Sequence, residues 1–361
     1  MANSYGKLFT ISLFGESHSE AIGVVLDGVP SGIELDMDEI SFEMQRRAPG
    51  NNEFSTPRCE SDIPEILSGV FNGKTTGTPI CAVIKNTNTR SKDYKPELLR
   101  PSHADYSGKL RYNNYNDYRG GGHFSGRLTA PIVFAGAVAK QIIRKENIEI
   151  FSHIKNIGNV YDDKLDIVNP DIAGLKSLKS EVLPFINKEK AKEASEEILS
   201  AKSGADSVGG SIEAVIYGLC GGIGSPFFES VESRISAMLF SIPAVKAVEF
   251  GIGTEFSKMH GSLANDSFVI ESGEVKTKTN NNGGINGGIT NGMPVVLTVT
   301  IKPTPSIGLK QESVNIETMK NTTIKIEGRH DPCIVGRAVA VIEAALAIVT
   351  LDLILEAKTY A

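Results

Sequence analysis

Apolar residues along this chain fall into short runs closed by glycine or proline, interrupted by two longer apolar blocks. Ile22 to Leu26 is a nearly continuous apolar run ended by Asp27-Gly28 and Pro30-Ser31-Gly32, which reads as a strand followed by turns. Further strands are predicted at Glu65 to Phe71, Ile80 to Lys85, Gly210 to Tyr217, Pro294 to Ile301 and Thr323 to Glu327. Asp36, with Glu39 three residues on, has the form of a capping box, opening a helix that runs to Arg47 and stops at Pro49-Gly50. Lys188 to Lys202 reads as a charged helix within a peripheral insertion around 155–205. The two long blocks, Pro131 to Arg144 and Val335 to Leu355, have helical length but are apolar nearly all round. A helix without a polar face must be covered on several sides, so the pattern predicts an α+β fold: a β-α-β sandwich with central helices covered by sheets. The Asn/Gly run from Asn280 to Gly292 reads as a loop.

Composition changes that picture little. With 40% hydrophobic and 22% charged residues in 361, the chain can bury a large core, in one big domain or two. The Val335 to Leu355 block is interrupted by Arg337, Glu343 and Asp352, which a bilayer penalises, so it is expected to be a core helix rather than a membrane span. The N-terminus has no basic and apolar leader pattern, and the four cysteines are scattered without a Cys-x-x-Cys pair, so a reducing cytoplasmic location is expected. The net charge of −6 argues against a nucleic-acid partner. Asn86 to Arg127 nevertheless carries eight cations against four anions, the pattern expected where cations are gathered for a small anionic ligand.

Several short segments carry candidate chemistry. Gly15-Glu16-Ser17-His18-Ser19 approaches the Gly-x-Ser-x-Gly nucleophile elbow, but Ser19 replaces the last glycine and no helix pattern follows, so a serine hydrolase using Ser17 is a secondary reading. Arg46-Arg47 closes the capped helix, where cations also offset the helix dipole. Ser68 to Thr75 is one residue too short for a phosphate loop and precedes a strand, which excludes nucleotide triphosphates there. Arg100-Pro101-Ser102-His103-Ala104-Asp105 gathers a guanidinium, an imidazole and a carboxylate, with no third residue spaced for a metal. Arg119-Gly120-Gly121-Gly122-His123-Phe124-Ser125-Gly126-Arg127 offers a backbone that a ligand can approach closely, flanked by arginines and leading into a buried helix. Lys302-Pro303-Thr304-Pro305-Ser306 puts a lysine at a strand end beside a stiff segment. Gly328-Arg329-His330-Asp331-Pro332-Cys333 brings a third mixed cluster to the mouth of the last helix.

In this order these segments resemble the chorismate synthase family. The resemblance also includes Asp27 to Gly32, Pro49-Gly50, Ser68 to Phe71 and Thr76 to Pro79, and it runs from about Gly6 to beyond Cys333. It implies a single catalytic domain that eliminates phosphate, in an anti-1,4 sense, from 5-enolpyruvylshikimate 3-phosphate to give chorismate. Reduced FMN is the implied cofactor, unchanged overall, and a homotetramer the implied assembly. By the same resemblance His18 donates a proton to the leaving phosphate, His103 stabilises the reduced flavin, and Asp331 is the base acting with the flavin. Ser17 and Ser125 support them by hydrogen bonding. Two carboxylates and a phosphate on a small ring suit guanidinium forks, and Arg47, Arg100, Arg127 and Arg329 are the candidates. The implied flavin contacts are His123, Phe124, Ser125, Pro243, Ala244, Gly287, Lys302, Pro303, Thr304, Pro305, Ser306 and Arg329. Four positions depart from the family pattern: Ser19 for glycine, His123 for arginine, Pro243 for asparagine and Glu53 for arginine. Glu53 reverses a charge and leaves two sources for the reduced flavin open, NADPH at this chain or a separate flavin reductase. A flavin or anion binder without catalysis is a further alternative.

Overall fold

The computed structural model describes residues 3–50, 54, 60–88, 94–326 and 331–360. One five-stranded antiparallel sheet contains β1 (Ser4–Tyr5), β2 (Thr10–Gly15), β3 (Ala21–Asp27), β4 (Glu65–Ser68) and β5 (Ile80–Lys85), in the order β1-β2-β3-β5-β4. A second contains β6 (Glu149–Ile157), β7 (Val160–Tyr161), β8 (Gly210–Tyr217), β9 (Val245–Phe250) and β10 (Val295–Ile301), in the order β9-β10-β8-β6-β7, again antiparallel throughout. Between them lie α2 (Thr129–Ile143), packed on the first sheet, and α5 (Val335–Tyr360), packed on the second and against α2. Shorter helices α1 (Met37–Arg47), α3 (Lys188–Ser203) and α4 (Val231–Ser241) close the sides. The α+β sandwich with buried central helices is therefore the observed architecture.

Alternation sets the layers. On β3, Ile22, Val24 and Leu26 are fully buried, whereas the second sheet is covered on both faces, so β8 is buried at every position but its last. All fifteen residues of α2 are buried, and α5 is buried from Val339 to Ile354. The two helices approach so closely at Gly136 that a Cβ there would stand 2.3 Å from that of Ala344. Although α5 has the length and hydropathy to cross a membrane, 94% of its most apolar window is inside the protein, as expected of a core helix.

Local chemistry explains the element ends. Asp36 Oδ1 accepts from the backbone N–H of Asp38 and Glu39 at 3.0 Å each, capping α1. The stretch expected as one strand, Glu65 to Phe71, breaks at Gly69: its φ of +81° ends the ladder, and any side chain there would strike Ile80 and Pro79. The Asn/Gly run is more ordered than its composition suggests. Asn280 is buried and donates from Nδ2 to the carbonyls of Ile167 and Pro294, while its Oδ1 accepts from Gly284, tying the run to the second sheet. Phe185, Ala194 and Ile198 from the 155–205 segment belong to the main core.

Candidate active site

Two of the expected arginines meet on a carboxylate that the sequence did not single out. Arg47, in the last turn of α1, donates from Nη1 to Asp62 Oδ2 at 2.6 Å, from Nε to Thr129 Oγ1 and from Nη2 to the Gly126 carbonyl. Arg127 donates from Nη1 to the other oxygen of Asp62, from Nε to Asn86 Oδ1 and from Nη2 to the Lys85 carbonyl. Burial alone would raise the Asp62 carboxyl, but the two guanidinium groups outweigh it and hold the group below the usual carboxylate range. Burial pushes Arg47 down to about 10, still a cation at neutral pH. A guanidinium has five N–H donors. In each arginine three are committed among the described residues, which leaves two that an incoming anion could use.

A cavity of about 240 Å³ opens beside this pair, walled by Arg47, Ser125, Arg127, Pro243, Asp331 and Arg337 among others. Five of those six were candidates from sequence; Arg337 was not. Arg337 binds Asp331 Oδ2 from Nη1 at 2.8 Å and the Arg47 carbonyl from Nε at 3.0 Å. Ser125 Oγ accepts from the Arg127 N–H, capping the short turn Gly126–Leu128 that leads into α2.

The Gly15 to Ser19 turn joins the same assembly through Asn86, whose Nδ2 donates to the carbonyls of Glu16 and Ser19 while its Oδ1 holds Arg127. Ser19 does positive work where glycine was expected: its Oγ lies 2.8 Å from the Glu16 and Ala21 carbonyls and accepts from the Glu16 N–H. Ser17 Oγ is fully buried and has no hydrogen-bond partner among the described residues. Among the described residues no imidazole is bonded to it in the way a serine nucleophile uses.

The glycine loop fits against these side chains. Gly120 has φ +62°, and a Cβ there would come within 2.5 Å of His18 Cδ2 and 2.8 Å of Ser17 Oγ; at Gly122, φ +55°, it would meet the Asp117 carbonyl at 1.9 Å. The loop needs glycine both for its backbone and for its proximity to His18. Accordingly, Gly120→Ala is expected to cut turnover by about 10²-fold by displacing His18 and Ser17. Steady-state kinetics with circular dichroism checks this; a folded variant with normal turnover would contradict the placement.

His103 is tied to the Lys302 to Ser306 segment. Its Nε2 is 2.6 Å from Ser306 Oγ, and Lys302 Nζ donates to the Ser102 carbonyl while the Lys302 N–H donates to Ala244. Burial, aided by Lys246, lowers the Lys302 ammonium. Thr304 Oγ1 is, like Ser17 Oγ, buried without a partner among the described residues. Tyr94 meets His18 edge-on at 5.4 Å between centroids and the Arg100 guanidinium at 5.3 Å.

Other candidates are already engaged or stand apart. Arg100 already carries a bidentate carboxylate, Asp105, at 2.9 and 2.7 Å. His123 is engaged at both ring nitrogens, with the Gly15 carbonyl at 2.8 Å and Asn3 Oδ1 at 3.2 Å, so it clasps β2. Phe124 is 39% exposed beside Tyr112 and covers Gly108. Gly287 sits at the tip of the Ile285–Thr290 hairpin, whose bonds run to Ile223 and Val231. Arg329 and Glu53 lie outside the described residues.

Two buried guanidinium groups paired on one carboxylate, with a second carboxylate on the wall of the same cavity, give the chain the makings of an enzyme active site. The chorismate synthase family model matches residues 9–355. The chain is 44% identical to the chorismate synthase of Dehalococcoides mccartyi, covering 99% of this chain and 98% of the relative, and 45% identical to that of Thermococcus kodakarensis, covering 98% of each. A crystal structure of chorismate synthase superimposes with a TM-score of 0.78 at 31% identity, covering 98% of this chain and 93% of the other. The chain belongs to the chorismate synthase family, carbon–oxygen lyases of aromatic biosynthesis whose reaction produces chorismate.

Proposed function

We propose that this chain eliminates phosphate and a ring hydrogen from 5-enolpyruvylshikimate 3-phosphate in an anti-1,4 sense, with reduced FMN bound beside the substrate. The observation that carries the reading is the cavity in which Arg47 and Arg127, locked on Asp62, face Asp331. The remaining donors of the two guanidinium groups bind oxyanions of the substrate, with Arg329 and Arg100 as further candidates. His18 protonates the departing phosphate, and the buried Ser17 hydroxyl supplies a hydrogen bond nearby. Asp331 accepts the ring proton as the C–O bond to phosphate breaks; the C–H electron pair ends in the new diene system, so no net oxidation occurs.

The residues present fit a flavin. Thr304 Oγ1 is an unsatisfied donor within the stiff Lys302 to Ser306 segment, and His103 stands against Ser306 at its edge. Those residues, with Ala244, Pro243 and Ser125, would hold the cofactor, and His103 would stabilise its reduced anion. When bound, reduced FMN supplies transient electron density that helps a non-acidic C–H and a phosphate ester part together. The reductant is either NADPH at this chain or a separate flavin reductase.

The decisive assay is anaerobic. Protein mixed with photoreduced FMN and 5-enolpyruvylshikimate 3-phosphate is expected to release phosphate and chorismate in equal amounts; absence of both rejects the reading, and binding without release favours a non-catalytic binder. We further propose a cytoplasmic homotetramer. Phe227 and Phe228 are 84% and 91% exposed, and Phe268 and Ile270 are 72% and 69% exposed, apolar surface of the kind subunits cover. Sedimentation equilibrium giving the mass of one 38.7 kDa chain would contradict this assembly.

A further inference from the structure

Asp331 lies four residues before α5 and borders the site cavity, so whatever holds its carboxylate sets the angle at which it acts. Arg337 supplies one from the third residue of α5, with Nη1 on Asp331 Oδ2 at 2.8 Å. Its Nε is bound at the same time to the Arg47 carbonyl at 3.0 Å. The base and the backbone of the anion-binding arginine are thereby fixed to one planar group. Arg337 borders the site cavity on one side and a second cavity, of about 190 Å³, on the other. Its side chain is only 18% exposed, so packing and these two hydrogen bonds together hold it between the cavities.

We propose that Arg337 is a positioning residue for the elimination: it sets the distance and orientation of the Asp331 carboxylate relative to the substrate anions held by Arg47 and Arg127. This rests on the reading of Asp331 as the base. A positioning role has a kinetic signature, because substrate still binds to the intact arginine pair while proton removal slows. Displacing a reacting group by about 1 Å costs on the order of 10²-fold in rate.

The test uses the full chain with reduced FMN and substrate, unlabelled or deuterated at the carbon that loses hydrogen. Arg337→Met keeps the apolar stem and removes both donors. It is expected to lower kcat by about 10²-fold, to change KM by less than about threefold, and to enlarge the deuterium isotope effect on kcat. In an Asp331→Asn background the same substitution should cost little more, since there is no carboxylate left to orient. Arg337→Lys, which retains charge but cannot span both acceptors, should lose about tenfold and decides the matter if the Met protein does not fold. Unchanged kcat and isotope effect in either variant would overturn the proposal, as would a full additional loss on top of Asp331→Asn. If instead Asp331→Asn alone keeps near-normal turnover, the base assignment itself fails, an outcome distinct from failure of Arg337 alone.

Discussion

Glu343→Ala is expected to lower the unfolding free energy by about 3–5 kcal/mol, because it breaks a buried ionic network from its centre. Glu343 lies midway along α5 with no exposed surface. Its carboxylate accepts from Arg46 of α1 at 2.7 and 3.1 Å, from Lys140 of α2 at 2.8 Å and from Ser152 of β6 at 2.9 Å, so it joins four elements around one point. Removing it leaves Arg46 and Lys140 with Glu43 as their remaining buried counter-charge. Burial alone would raise the Glu343 carboxyl, but Arg46 and Lys140 outweigh it and hold the group well below the usual range. A carboxyl depressed in the folded state contributes its full stability above the unfolded value, about 4.3, and loses it as pH falls through the folded one. The variant should therefore lose its disadvantage progressively as pH falls from about 4.3 through the folded value. Urea denaturation at fixed protein concentration measures this; a loss under about 1 kcal/mol at neutral pH would show the network to be dispensable.

His18→Ala should reduce kcat by about 10²- to 10⁴-fold, the usual contribution of a positioned proton donor. Substrate affinity should change far less, since the guanidinium pair is anchored on Asp62, Thr129 and Asn86 and does not lean on the imidazole. His18 is placed by Gly120 beneath it and Tyr94 at its edge, so truncation leaves the anion seat standing. Equilibrium binding of substrate in the presence of FMN, set beside turnover, separates the two effects. Equal losses in both would mean that His18 binds rather than reacts.

What could be read along the chain was what repeats along it. The Asp36 cap, the strands Ile80–Lys85 and Gly210–Tyr217 and the two apolar helices announce themselves through local spacing, and each stands close to where that spacing puts it. β6 was missed because it is covered on both faces yet carries Ser152, His153 and Lys155, polar residues that break any simple alternation. Asp62 and Asn86 have no local signature; they matter because folding brings them between Arg47, Arg127 and the Ser17 turn. Arg337 did leave a trace. The three charges that mark the last helix as unsuited to a bilayer each have a partner: Arg337 holds Asp331, Glu343 holds Arg46 and Lys140, and Asp352 accepts from Arg234 and from the N–H groups of Lys7, Leu8 and Phe9. A charge inside an otherwise apolar block is costly unless paired, so each pointed to a specific contact that only the fold could name.

On this reading His18, His103, Ser125 and Asp331, distant in sequence, serve one ligand pair. The most direct measurement is an anaerobic crystal structure of the Asp331→Asn protein with reduced FMN and 5-enolpyruvylshikimate 3-phosphate. The phosphate is expected beside His18, the acid groups on Arg47 and Arg127, the flavin against His103 and the Lys302 to Ser306 segment, and the ring within reach of position 331. Flavin or phosphate bound away from these side chains would contradict it.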